Sequence, residues 1–141
     1  MPRLEMQAFL AYTLYGGYMK ILIIDDNQTL VKLMQEVLER EGYQTTMAFD
    51  GEEGLCKTKQ DVPDMVILDL GLPKLPGEQV CKEIKKDEKT KNISIVMLSG
   101  RASEADKVIG KVIGADYYLT KPCNIGDLLN IAQTVQKYPH H

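Results

Sequence analysis

The sequence predicts a doubly wound α/β domain in which five parallel strands alternate with five helices. Strand-like and helix-like segments follow one another from Lys20 to near the end of the chain, and such alternation is the pattern of parallel βαβ units. Three of the strand-like segments are continuous apolar runs, as strands buried on both faces should be. Capping residues and glycines stand where helices should start and stop.

Ile21-Leu22-Ile23-Ile24 is the first strand and runs into Asp25-Asp26. Leu30, Val31, Met34, Val37 and Leu38 then recur at helical spacing, with Asn27 as N-cap and Gly42 as the glycine that closes the helix. Residues 43–48 read as a second, more polar strand. Asp50 with Glu53 makes a capping-box-like start for a short helix through about Lys59. Met65-Val66-Ile67-Leu68 is the third strand, ending at Asp69. Gly71, Pro73 and Pro76 form a loop, after which Val80 and Ile84 mark the third helix. Residues 93–98 are the fourth strand, ending at Ser99. Ser103 with Asp106 opens a fourth helix with an apolar face of Ala105, Val108, Ile109, Val112 and Ile113, and Gly114 stops it. Tyr117-Tyr118-Leu119 is a short fifth strand. Asn124 with Asp127 opens the last helix, which carries Ile125, Leu128, Leu129, Ala132 and Val135. The polar second strand suits an edge, which fits a flavodoxin-like (βα)5 arrangement with strand order 2-1-3-4-5.

One domain, residues 19–138, accounts for the whole pattern. Residues 1–18 precede it as an N-terminal extension or leader. The weakly apolar stretch 8–14 is too short, and too poorly followed by a cleavage pattern, to be a signal peptide. The segment is an upstream start, an added leader or a true extension, and it supplies no group to the site inferred below. No stretch is long and apolar enough to suggest membrane insertion. The formal net charge of −3 gives no basis for direct nucleic-acid binding or for an anionic membrane surface. Cys56, Cys81 and Cys123 are widely separated and odd in number, which argues against a metal framework and against disulfides. They read as inert packing residues of a cytoplasmic protein.

Open parallel sheets use the crevice beyond the carboxyl ends of their strands. In the order 2-1-3-4-5, four neighbouring strands deliver Asp25-Asp26, Asp69, Ser99 and Thr120-Lys121-Pro122 to one rim. Three clustered carboxylates call for a cation, and a hard ion such as Mg²⁺ takes carboxylate and water oxygens. A lysine and a hydroxyl opposite them suit a phosphoryl group. The set has the parts needed for phosphoryl transfer to an aspartate. A haloacid-dehalogenase-like phosphatase would need a second acid two residues beyond its nucleophile, and Gly71 stands there. A nucleotide-binding protein would need a phosphate cradle after the first strand, and Asp25-Asp26-Asn27 is the opposite of one. A degenerate domain of this kind that only docks partners would be expected to have lost Asp69 or Lys121.

From Met19 to about Lys137 the chain resembles two-component response-regulator receiver domains of the chemotaxis-regulator type. The resemblance is carried by Asp25-Asp26, Leu68-Asp69-Leu70-Gly71-Leu72-Pro73 with Gly77 behind it, Ser99-Gly100, Gly114-Ala115-Asp116 and Lys121-Pro122. It implies that Asp69 accepts a phosphoryl group from a sensor histidine kinase or a histidine phosphotransfer protein. It implies a Mg²⁺ site of Asp26, Asp69 and the Gly71 carbonyl, with Asp25 acting through water. It also implies a cis Lys121-Pro122 bond, phosphoryl contacts from Ser99 and Lys121, and a switch made of Ser99 and Tyr118. Gly71 and Arg101 would set the hydrolysis rate. The output would be docking of an effector protein or a second receiver on the face formed by the fourth helix, fifth strand and fifth helix. Such a domain is a switch that assists its own phosphorylation and dephosphorylation rather than an enzyme. The chain departs from the family at Leu72, Gly100 and Cys123, none of which removes a charged or nucleophilic group.

Overall fold

A computed structural model describes residues 19–100 and 114–138. In chain order these form β1 (Lys20–Ile24), α1 (Gln28–Arg40), β2 (Gln44–Ala48), α2 (Gly51–Asp61), β3 (Met65–Asp69), α3 (Gly77–Lys86), β4 (Ser94–Ser99), β5 (Tyr117–Thr120) and α4 (Ile125–Lys137). The helix expected over 103–113, Arg101 and the extension 1–18 lie outside the described residues. The strands pair in parallel in the order β2-β1-β3-β4-β5, as expected.

Each boundary has a local cause. Asn27 caps α1 by accepting the Leu30 N–H at 3.1 Å, a bond of a kind that contributes about 1 kcal/mol. At the other end Gly42 has φ 91°. Its N–H donates to the Glu39 carbonyl at 3.0 Å, and the Tyr43 N–H donates to the Leu38 carbonyl at 3.2 Å. This two-bond cap needs a left-handed residue, which glycine supplies without a Cβ clash. Tyr43 therefore belongs to the cap of α1, and β2 starts one residue later than expected. Asp50 caps α2 through the Glu53 N–H at 2.8 Å. The Glu53 carboxylate turns back as a capping box requires, but takes the Phe49 N–H (2.7 Å) rather than that of Asp50. Asn124 caps α4 through the Asp127 N–H at 3.2 Å.

The period-two alternation of the strands divides the core into two layers. Ile21, Ile23, Ile67 and Leu98 face the helices α1 and α4, meeting Met34 and Leu128 among others. Leu22, Ile24, Leu68 and Met97 face α2 and α3, meeting Val80 and Ile84. Because β1, β3 and β4 are covered on both faces, all their apolar residues are buried. Cys81 fits the packing role expected of it, and burial pushes its thiol up to about 11. Cys56 does not. It sits on the exposed side of α2, in line with Glu52 and Lys59, so its reading as a core residue is corrected.

Candidate functional site

β1 and β3 are central and buried, so the chain leaving them emerges on one rim. Asp25 follows β1 directly and is fully buried; Asp69 is the last residue of β3 and 6% exposed; Ser99 ends β4 and is also buried. Asp26 is exposed. One carboxylate oxygen from each of Asp25, Asp26 and Asp69 lies within 4.8 Å of the others. The expected carboxylate cluster is therefore assembled.

Lys121 reaches into this cluster from the end of β5. Its Nζ is 3.0 Å from Asp25 Oδ2 and 3.3 Å from Asp69 Oδ1. Its backbone N–H donates to the Ser99 carbonyl at 2.7 Å, tying the lysine to the hydroxyl-bearing strand end. The Lys121-Pro122 bond is cis, as the resemblance implies. Partial burial works against the lysine charge, but Asp25 and Asp69 outweigh it and hold the ammonium above its ordinary value. Asp25 is shifted upward as well, for a different reason. Burial raises its carboxyl above the usual aspartate range, despite the opposing Asn27 N–H and Lys121, and the neighbouring Asp69 charge adds to the rise.

One oxygen of this set is left short. Asp25 Oδ1 accepts the Asn27 N–H at 2.9 Å. Asp25 Oδ2 is buried beside the Lys121 ammonium at 3.0 Å and makes no well-formed hydrogen bond. A buried carboxylate oxygen without a hydrogen bond, beside two further carboxylates, is a donor set suited to a hard divalent cation. The residues present thus fit Mg²⁺.

The backbone beyond Asp69 is held close. The Gly71 N–H donates to Asp69 Oδ1 at 3.3 Å. A Cβ on Gly71 would lie 3.8 Å from Asp69 Oδ2, so a side chain at this position would stand beside the Asp69 carboxylate. Gly77 lets α3 start directly against the end of β3; a Cβ there would collide with the Asp69 carbonyl and come within 2.8 Å of Leu70 Cα. Leu72 is buried in the layer beneath. Gly100 is exposed, and an alanine Cβ there would meet nothing within 4 Å. Cys123 is half-buried, and burial raises its thiol, with Asp127 adding to the effect. Tyr118 is half-buried and packs against the layer that holds Leu68 and Met97. Arg101 is outside the described residues.

Comparison with known proteins agrees with this geometry. The family model for the response regulator receiver domain matches residues 21–133. The chain belongs to that family. As a receiver domain it is 46% identical over 103 residues to the alkaline phosphatase synthesis transcriptional regulatory protein PhoP of Bacillus subtilis, covering 73% of this chain and 42% of that one. It is 41% identical over 110 residues to the DNA-binding dual master transcriptional regulator RpaA of Synechocystis, covering 78% and 46%. The chain thus spans less than half the length of these relatives. Among solved structures, chemotaxis protein CheY4 of Vibrio cholerae is similar with a TM-score of 0.79 and 31% identity, covering 84% of this chain and 99% of that one. A putative response regulator from Chloroflexus aurantiacus gives a TM-score of 0.80 at 31% identity, covering 85% and 98%. Among the described residues no helix is long and apolar enough to cross a membrane.

Sequence reasoning missed two groups around this receiver domain. Lys85 and Asp116 form an ion pair of 3.0 Å at the other end of the sheet. Asp50, read only as a helix cap, also faces Lys74 at 3.5 Å. The one available signal for the second was Gly51. Glycine is a poor choice in a first helical turn unless another backbone comes close.

Proposed function

We propose that Asp69 is the phosphoacceptor of this receiver domain, phosphorylated by a sensor histidine kinase or a histidine phosphotransfer protein. The observation that carries this reading is the position of Asp69, nearly buried, with its carboxylate between two further aspartates and the Lys121 ammonium. An Asp69 oxygen attacks phosphorus, the P–N bond to the donor histidine breaks, and the imidazole leaves with the electron pair. Mg²⁺ held by Asp26, Asp69 and the Gly71 carbonyl, with Asp25 acting through water, would neutralise charge on the phosphoryl oxygens. Lys121 then exchanges a carboxylate for a phosphoryl oxygen, and the Ser99 hydroxyl donates to another. The domain turns over no external substrate; it assists its own phosphorylation and hydrolysis.

Output follows from the same donors. Drawing Ser99 toward the phosphoryl group shifts the segment after β4, and Tyr118 fills the space beside β5. The face of the 103–113 segment, β5 and α4 then docks an effector protein or a second receiver. This is a two-state element biased by local charge. Gly71 and Arg101 set the lifetime of the phosphorylated state.

Labelling with acetyl phosphate and Mg²⁺ tests the core of this reading. The parent should incorporate phosphate, and Asp69→Asn should fold and incorporate none; undiminished labelling of that variant would refute it. Ser99→Ala and Tyr118→Ala should lose phosphate-dependent association while Asp69 still accepts phosphate. Intact association in both would mean that the signal leaves by another route.

A further inference from the structure

The segment that carries Gly71 is also held at its middle, by the corner between β2 and α2. Between its two ends, at Gly71 and Gly77, Pro73-Lys74-Leu75 makes a tight turn. The Leu75 N–H donates to the Pro73 carbonyl at 2.8 Å, and Lys74 between them has φ 68°. A three-residue turn with its centre at positive φ is the rare, strained form, and lysine has no intrinsic reason to adopt it. Such a conformation persists only where its surroundings over-determine it.

Those surroundings are the start of α2. The Gly51 N–H donates to the same Pro73 carbonyl at 3.3 Å. Lys74 Nζ lies 3.5 Å from Asp50 Oδ2. The Asp50 carboxylate is itself fixed by the Glu53 N–H it caps, so it is an anchored partner rather than a loose one. The approach is close enough that a Cβ on Gly51 would collide with the Leu75 carbonyl oxygen and lie 2.8 Å from the Leu75 carbonyl carbon.

We propose that Asp50 and Gly51, which contribute no group to the rim, are positioning residues that hold the 70–76 segment for Mg²⁺ binding and phosphorylation at Asp69. The inference rests on the reading of Asp69 as a metal-assisted acceptor. It adds that the β2–α2 corner tunes metal affinity. Residues that orient metal ligands typically change affinity by about 10-fold or more when altered.

Isothermal titration with Mg²⁺ alone, on the full chain, tests this apart from activity. Gly51→Ala should bind Mg²⁺ on the order of 10-fold more weakly. Its labelling by acetyl phosphate should need correspondingly more Mg²⁺ yet reach the parent rate at saturation. A merely structural defect would lower the melting temperature and the maximal rate without moving the Mg²⁺ midpoint, and that result overturns the proposal. Lys74→Glu, at an exposed position, turns the Asp50 attraction into repulsion and should weaken Mg²⁺ by about two- to fivefold, the scale of a surface ion pair. Unchanged affinity there overturns the proposal even if Gly51→Ala does not fold. A parent chain that neither binds Mg²⁺ nor labels would instead refute the Asp69 reading, and this inference would fall with it.

Discussion

Two lysine–aspartate pairs lie at opposite ends of the same sheet, and they are built differently. At the end where β4 and β5 begin, Lys85 Nζ donates to Asp116 Oδ2 (3.0 Å), the Ile93 carbonyl (2.7 Å) and the Lys91 carbonyl (3.3 Å). Asp116 Oδ2 also takes the Ile95 N–H at 2.7 Å, and the Asp116 N–H returns to the Ile95 carbonyl at 2.9 Å. The Lys85 stem lies against Gly114, where a Cβ would come within 3.0 Å of it. Every donor of this ammonium has a partner. At the other end Lys121 faces two carboxylates, and Asp25 Oδ2 has no hydrogen bond. The first pair is saturated with backbone partners and acts as a staple between α3, β4 and β5. The second is left short and can exchange a carboxylate for an incoming ligand. Saturation, more than charge or burial, separates structural ion pairs from functional ones here.

Substitutions at the two ends should therefore act oppositely. Lys85→Met should lower stability to chemical denaturation by roughly 2 to 3 kcal/mol, as expected when hydrogen bonds to a charged group are lost. Mg²⁺ affinity of the folded protein should not change; loss of affinity together with stability would erase the distinction. Asp25→Asn should do the reverse, raising apo stability on the order of 1 kcal/mol by removing a carboxylate charge that burial disfavours, while Mg²⁺ binding weakens. A clear loss of apo stability in that variant would show that the Lys121 contact is a staple too.

The same asymmetry predicts a pH dependence. The Asp25 carboxyl is held above its ordinary value, so the folded state binds its proton more readily than the unfolded state. The ionised group therefore costs stability at neutral pH, and the cost disappears as pH falls through the raised value. The stability gap between parent and Asp25→Asn should narrow on acidification, measured by denaturant unfolding at several pH values; a gap that widens contradicts the assignment. The smallest expected effect is kinetic. Gly71→Asn puts an amide beside Asp69 Oδ2, where it can orient water, and should speed loss of phosphate severalfold. Equal or slower decay would mean that position 71 does not govern that path.

The legible and illegible parts of the molecule differ in range. The apolar runs before Asp25, Asp69 and Ser99 marked those residues as strand ends, and strand ends share a rim in a parallel sheet. Asn27, Asp50 and Asn124 were legible as caps because a cap bonds an N–H only three residues away. Cys56 was misread by residue type alone, although the helical spacing of Glu52, Cys56 and Lys59 marks an exposed stripe. Asp50 was legible as a cap and illegible as a partner of Lys74, because that contact depends on how the 70–76 segment folds back.

The sequence by itself determined the elements, their order in the chain and the residue types at each strand end, because period-two and helical apolar patterns and short-range hydrogen bonds act within a few residues. Only the tertiary structure decided that Lys121 is paired with Asp25 as well as Asp69, that one Asp25 oxygen is left without a hydrogen bond, and that Lys85 is saturated. Those outcomes depend on how many donors the packed chain brings within about 3 Å of one oxygen, and residues distant in sequence meet at that range only once the sheet has closed around them.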